Sequence, residues 1–304
     1  ISKKIQDFSN GLTHINKKSI VSLGDPQKRF EEDPVRSLRA IRFSSKLGFK
    51  LENTVKDAIY DKSYLLADIS NARMFDEFCK IFLGGDGEKN LNKLDSFGLL
   101  KYLVASSPDN DYAKKVMLEA VKNTDSRVKN NQSKTPGFLI AALLWPSLLK
   151  ECSNKEGINI RKFFRSMDKV LKSQQQKTAI PRKFYNYIKD IWVLQLKLHS
   201  RIGNQPYKLI KHPRFRAAFD HFYSAKKDFF EKRKSDESGV LEIRNTVLKA
   251  LEELKDTPKT SPVSNHTKNR GTKTLKQNTT TGFYLEVLEE KKTSPNRLAH
   301  IRSQ

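Results

Sequence analysis

Read along the chain, apolar positions recur at helical rather than strand spacing, and stretches of alternating polarity are scarce. Most segments are periods of 10 to 20 residues separated by Gly, Pro, Asn and Ser, the pattern of an all-α protein. The first clear helix spans 34–47: Asp33 suits the N-cap, Pro34 the first helical position and Gly48 the stop. Further helices are expected near 52–62, 71–83, 88–94, 110–122, 136–151, 160–171, 183–200, 205–211, 213–231 and 239–254. In the last of these, Val240, Ile243, Val247, Leu251 and Leu254 share one face. Beyond Lys255 the large apolar residues almost vanish, and a disordered tail is expected over 257–304.

Charge narrows the picture. The 304 residues hold 58 Lys and Arg against 34 Asp and Glu, a formal net charge of +24. Such an excess favours a polyanionic partner, with RNA or DNA ahead of an anionic membrane surface. No apolar run approaches the 18 or so residues needed to span a bilayer. The tail adds nine Lys or Arg against three Glu. Two cysteines, Cys79 and Cys152, make neither a disulfide framework nor a metal cluster, which fits a reducing cytoplasm. The chain opens ISKKIQDFSN, without Met or a signal-peptide core, and is expected to be part of a longer protein.

The stretch LGDPQKRFEEDPVRSLRAIRFSSKLGF, residues 23–49, sets Glu32, Asp33 and Arg36 at the mouth of the first helix. At about 100° per residue, Arg39, Arg42 and Lys46 form one stripe, solvated or facing phosphates. Leu38 and Ile41 form a second arc. Ala40, Phe43 and Leu47 form a third, with Arg36 in its middle, so the helix is expected to pack on two sides. A partly buried guanidinium needs an acceptor, and Glu32 and Asp33 are the nearest acids. The plain reading is an N-cap with a helix-start salt bridge. The functional one is a base reader: a carboxylate accepts from an exocyclic amine while a guanidinium donates to a ring nitrogen. That pair matches adenine, and cytosine similarly, but not guanine or uracil.

These residues carry a resemblance. The stretch is similar to the neck signature of class II template-independent nucleotidyltransferases, the superfamily of bacterial poly(A) polymerases and CCA-adding enzymes. Its Glu-Asp-x-x-Arg motif maps onto Glu32, Asp33 and Arg36, of which the family uses the aspartate and arginine to read the incoming base. ISNARMFDEFCKIFLGG, residues 69–85, resembles the next family segment through Arg73 and Glu77, which at i, i+4 are also placed to pair with each other. IPRKFYNYIKDIWVLQLKL (180–198) and KHPRFRAAFDHF (211–222) resemble the C-terminal region of bacterial poly(A) polymerases, and no His-Asp dipeptide of an HD domain occurs. The likeness covers roughly 8 to 230 and is specific in three places.

The resemblance implies an elongated helical array of neck (1–85), body (86–200) and C-terminal leg (201–256), ahead of the basic tail. It implies nucleotide contacts from Glu32, Asp33 and Arg36, RNA contacts from Arg39, Arg42, Lys46, Arg73, Arg182 and Lys183, ATP as substrate, RNA 3′ ends as acceptor, and a monomer. Mg²⁺ would be held by a catalytic head with a Gly-Gly-x-Val-Arg-Asp opening and an Asp-x-Asp pair. GGDGEK at 84–89 lacks the following Val-Arg-Asp, and Asp109 and Asp111 sit in a polar loop. The fragment is therefore expected to be inactive alone. A CCA-adding enzyme and a non-catalytic helical RNA-binding module are the alternatives. Phe163, Phe164, Phe184, Tyr185 and Tyr187, among Arg161, Arg165, Arg182 and Lys183, could stack RNA bases. A helical core with a basic exterior is the favoured reading of them. Trp192 is expected in the core and His212 in a turn.

Overall fold

A computed structural model of the protein describes residues 6–105, 111–154, 157–199 and 209–221. The chain divides into two units, Ile1–Glu237 and Ser238–Gln304, and every described residue belongs to the first. Its elements are α1 (Gly11–Asn16), β1 (Ser19–Ile20), α2 (Pro26–Glu32), α3 (Val35–Leu47), β2 (Lys50–Leu51), α4 (Asn53–Lys62), a 3₁₀ turn (Ser63–Asp68), α5 (Asn71–Phe82), α6 (Gly87–Ser96), α7 (Leu100–Leu103), α8 (Asp111–Lys129), α9 (Pro136–Cys152), β3 (Ser153–Asn154), β4 (Gly157–Ile158), α10 (Ile160–Gln175) and α11 (Lys183–His199). β1 and β2 pair in parallel, β3 and β4 antiparallel, each over two residues, so the fold is all-α.

α3 ends where the sequence places its stop. Gly48 adopts φ 67° at the C-cap, a left-handed conformation that costs glycine nothing. Its inner face buries Val35, Leu38 and Ile41 against α5 and α6, where Met74, Phe78, Ile81 and Leu94 complete the core. α6 leans in turn on α8. The buried Asp125 of α8 accepts from the backbone N–H groups of Gly87 and Glu88 at 2.8 and 2.9 Å, capping α6 from another helix.

α9 is apolar nearly all round, and every residue from Gly137 to Trp145 is buried. A helix of that composition must sit at a centre, and α8, α10 and α11 pack around it. A Cβ on Gly137 would lie 2.7 Å from the Tyr187 ring, so glycine is what lets α11 approach there. Trp192 of α11 is buried and donates its indole N–H to the Ala141 carbonyl at 2.8 Å. Buried Gln174 ties α7 to α10: its amide oxygen accepts from Ala105 N–H, and its Nε2 donates to the Leu103 carbonyl, both at 2.8 Å.

Of the helix expected at 213–231, residues 215–221 are helical, and of that at 205–211, residues 209–210; 205–208 and 222–231 lie outside the described residues. The helix at 239–254 and the tail lie outside the described residues.

Candidate nucleotide and RNA site

Two helices meet at Asp33. Asp25 accepts from Gln27 N–H and Pro26 follows it, so α2 starts with a side-chain cap and a pre-set φ. α2 stops at Asp33, which is extended (φ −149°, ψ 90°), as the proline after it requires. The Asp33 carbonyl accepts from Arg36 N–H at 3.0 Å, but Asp33 is the C-cap of α2 and the N-cap of α3 falls one residue later than expected, at Pro34. The Asp33 carboxylate is not spent on a cap. Instead both carboxylate oxygens accept from Nη2 of Arg73, each at 2.8 Å, across 40 positions of sequence. Arg36 Nε stands 4.0 Å from Asp33 Oδ2, is itself buried and has no hydrogen-bond partner. One carboxylate, 18% exposed, is thus flanked by two half-exposed guanidinium groups from α3 and α5.

Arg36 also lines a groove of about 200 Å³ with Arg39, Ala40 and Phe43 of α3 and Val21 and Leu23 of the segment after β1. The apolar arc expected to pack is therefore largely open. Phe43 is 36% and Leu47 52% exposed, because no described element covers that side of α3. The groove offers an apolar wall and three arginines, Arg29, Arg36 and Arg39, and the Asp33 carboxylate stands 4.0 Å from one of them, Arg36.

Several expected pairings turn out differently. Glu32 pairs with Arg29 at 2.6 Å, one turn back on α2, and Glu31 pairs with Lys62, which leaves Asp33 as the acid facing Arg36. Arg73 and Glu77 do not pair. Glu77 is buried, takes Lys80 at 2.7 Å and has Arg42 Nε at 4.0 Å. Arg42 accordingly leaves the open stripe: a buried carboxylate draws it inward, and its guanidinium lies 4.4 Å over the Phe43 ring. Arg39 and Lys46 remain exposed.

Arg182 and Lys183 are exposed at the start of α11, with the Lys183 ammonium 5.1 Å from the Phe184 ring. Phe184 lies 6.5 Å from Phe75 of α5. Asn71 pins the same junction, donating Nδ2 to the Gln175 carbonyl and accepting from Ala179 N–H. The start of α11 is thereby held against the first turns of α5, the helix that carries Arg73. Among the aromatic residues, Phe163 and Trp192 are core. Tyr187 is half-buried, with Arg214 stacked 4.6 Å over its ring. His212 is in a turn, its Nδ1 accepting from Arg214 N–H. Asp109 lies outside the described residues. Among those residues no three His, Cys, Asp or Glu side chains gather where a metal ion could be held. No described helix is long and apolar enough to cross a membrane.

Comparison with known proteins identifies the family. The family model described as the probable RNA and SrmB-binding site of polymerase A matches residues 48–110, and the polymerase A arginine-rich C-terminus matches 158–237. A domain of unknown function also matches 212–277. Poly(A) polymerase I of Salmonella typhi is 33% identical over 226 residues, covering 71% of this chain and 49% of the relative. That of Escherichia coli O157:H7 is 34% identical over the same shares. The chain belongs to the family of poly(A) polymerases and CCA-adding enzymes. It spans about half the length of the curated poly(A) polymerases it matches. A CCA-adding enzyme of Lactococcus lactis subsp. cremoris is 32% identical over 62% of the chain and 40% of the relative. Among solved structures, a tRNA nucleotidyltransferase complexed with a primer tRNA and an incoming ATP analog aligns with TM-score 0.54 at 18% identity, covering 82% of this chain and 65% of that one. The Thermotoga maritima CCA-adding enzyme complexed with tRNA aligns with the same score and identity over 94% and 67%. These neighbours share the helical fold of the family.

A set of lysines outside this site has no sequence signal that joins it: Lys89 and Lys93 share a face of α6 at i, i+4, and Lys50 of β2 is brought to them by tertiary packing.

Proposed function

We propose that this chain is the base-selecting and RNA-binding portion of a polynucleotide adenylyltransferase. The whole protein adds AMP from ATP to RNA 3′ ends without a template, in the bacterial cytoplasm. Residues 1–85 act as neck, 86–200 as body and 201–256 as leg. The observation that carries the reading is the Asp33 carboxylate, held through both oxygens by Arg73 and 4.0 Å from Arg36, which lines an open groove.

In this reading adenine lies along the Ala40–Phe43 wall. Its exocyclic amine donates to Asp33, which has about four lone-pair sites and spends two on Arg73. Arg36 donates to the adjacent ring nitrogen. Guanine and uracil present a donor to the guanidinium and an acceptor to the carboxylate, and both clashes cost binding. Cytosine presents the same pattern as adenine, so discrimination between ATP and CTP must come from the size of the groove. Arg73 acts through Asp33 by holding it. Arg39 and Lys46, exposed on α3, take RNA phosphates, and Arg182 and Lys183 extend that surface. In the family Mg²⁺ supplies charge neutralisation at the transferred phosphate. The described residues do not form a set that fits it, so no step is assigned to metal here, and the 304 residues are inactive by themselves.

The test is the complete enzyme with each of the four NTPs and two primers, a generic RNA and one ending as an immature tRNA. AMP addition to both primers supports the reading. Ordered addition of C, C and A to the tRNA primer alone makes the protein a CCA-adding enzyme. No incorporation with any NTP makes it a binding module.

A further inference from the structure

A second groove, of about 420 Å³, lies where the end of α3 meets β2, α4 and α6. Ser45, Lys50, Lys56, Lys89, Lys93 and Phe97 line it, and no carboxylate does. Its electrostatics are unbalanced. Lys89 has Asp86 at 3.1 Å and Lys56 has Asn53 Oδ1 at 3.1 Å, but Lys50 and Lys93 have no acidic partner among the described residues. Lys93 is half-buried and donates to Ser44 Oγ at 2.6 Å, and Ser44 Oγ donates to the Phe49 carbonyl at the same distance. Burial, and then the neighbouring Lys89, lower the Lys93 pKa below its ordinary value. Ser45 is 1% exposed, and its hydroxyl has no hydrogen-bond partner. A half-buried ammonium, a second cation and a buried hydroxyl in one acid-free groove make a surface suited to an anion.

The groove is separate from the Asp33 site. Ser45 follows Arg36 by nine residues, which turns it to the opposite face of α3 and about 13 Å along the helix. Flat rings border it. Phe97 stands 5.0 Å from Tyr60, which is 58% exposed.

We propose that this groove binds the phosphates of a single RNA strand, with Lys50 and Lys93 as the phosphate contacts and the Tyr60–Phe97 pair as a stacking platform for a base. The inference rests on the RNA-binding role above. Lysine is a point-charge phosphate ligand, and an exposed Tyr60 with a half-buried Phe97 beside lysines suits a polynucleotide, whose every base has a stacking face. An acidic protein segment would satisfy the lysines and leave the rings unused.

The test measures binding of the 304-residue chain to a fluorescein-labelled single-stranded RNA of about a dozen nucleotides across a salt series. Each lost phosphate contact lowers the slope of log K against log salt by about 0.7 on a single strand. K50A/K93A is expected to lower it by about 1.4, and K50A alone, at an exposed position, by about 0.7. K50R/K93R keeps the wild-type slope. F97A weakens binding roughly fivefold or more with the slope unchanged. Thermal melts show that each variant is folded. If wild type binds with a steep slope and both lysine variants keep it, the groove proposal is overturned and the RNA reading stands. If wild type itself shows no salt-dependent RNA binding, the RNA reading falls and the groove with it. Loss of a glutamate-rich peptide in K50A/K93A, with the RNA slope intact, makes the occupant an acidic protein and overturns the proposal.

Discussion

His221 is the residue whose behaviour with pH follows most directly from its surroundings. It is fully buried, both ring nitrogens lack hydrogen-bond partners among the described residues, and the ring meets Trp145 of α9 edge-on at 5.4 Å and 89°. Burial pushes its pKa down from the ordinary 6.5 to about 3. The folded protein therefore holds a neutral imidazole over a range where the unfolded chain binds a proton. Stability from this source is fully present above pH 6.5 and is lost progressively as pH falls toward 3. Between pH 7 and pH 5 the unfolded chain's proton uptake amounts to about 2 kcal/mol. Replacement by Phe removes the titrating group and leaves an apolar ring against Trp145. The assay is urea unfolding followed by circular dichroism at pH 7, 6 and 5, for wild type and H221F. The quantity compared is each protein's own change with pH, so a shift in absolute stability from the larger ring does not matter. Wild type should lose about 2 kcal/mol more than H221F over that range. Equal pH dependence in the two would refute the reasoning and mean that the imidazole reaches water or a partner.

Asp125→Ala, which strips two backbone N–H groups at the start of α6 of their acceptor, should cost about 2–4 kcal/mol in urea unfolding, and Asp125→Asn less. Gly137→Val should destabilise by about 1–3 kcal/mol or more in the same assay, because its Cβ would lie 2.7 Å from Tyr187. Arg73→Ala in the complete enzyme should raise incorporation of GTP and UTP relative to ATP, since Asp33 loses the group that orients both of its oxygens. Arg73→Lys should restore only part of that selectivity, which steady-state kcat/KM for the four NTPs would report. Residues 1–304 incubated with ATP, Mg²⁺ and an RNA primer should extend nothing above a buffer control.

Local chemistry made the helical framework legible. Gly48, Pro34 and the 3.6-residue recurrence of Leu38 and Ile41 delimit α3 to within a residue, and the all-apolar run of α9 marks a central helix. α2 was missed because it is short and buries only Phe30, so periodicity gives it no voice. The partner choices at the site were not legible for a different reason. Asp33 carries the right residue type for a cap, but Arg73, 40 residues later, competes for its carboxylate with two charged hydrogen bonds. Arg42 occupies the polar stripe of a wheel drawn on α3 alone. It turns inward only because Glu77 of α5 is buried beside it. Lys89 and Lys93 are neighbours by i, i+4 spacing on α6, but Lys50 of β2 and Lys56 of α4 join them only through tertiary packing.

The central claim is that Asp33 and Arg36 read the base, and the most direct measurement is nucleotide choice by Arg36→Ala in the complete enzyme. Arg36 lines the groove, and its acidic neighbour among the described residues is Asp33, 4.0 Å away. Loss of a hydrogen bond to a charged group costs about 1.5–3 kcal/mol. The ratio of kcat/KM for ATP over GTP and UTP should then fall roughly ten- to a hundredfold. Lys46→Ala, exposed on α3 and outside the groove, should leave that ratio unchanged while weakening RNA binding. A folded Arg36→Ala enzyme, with a wild-type melting temperature, that still prefers ATP as strongly as the parent would contradict the account and assign base selection to other residues.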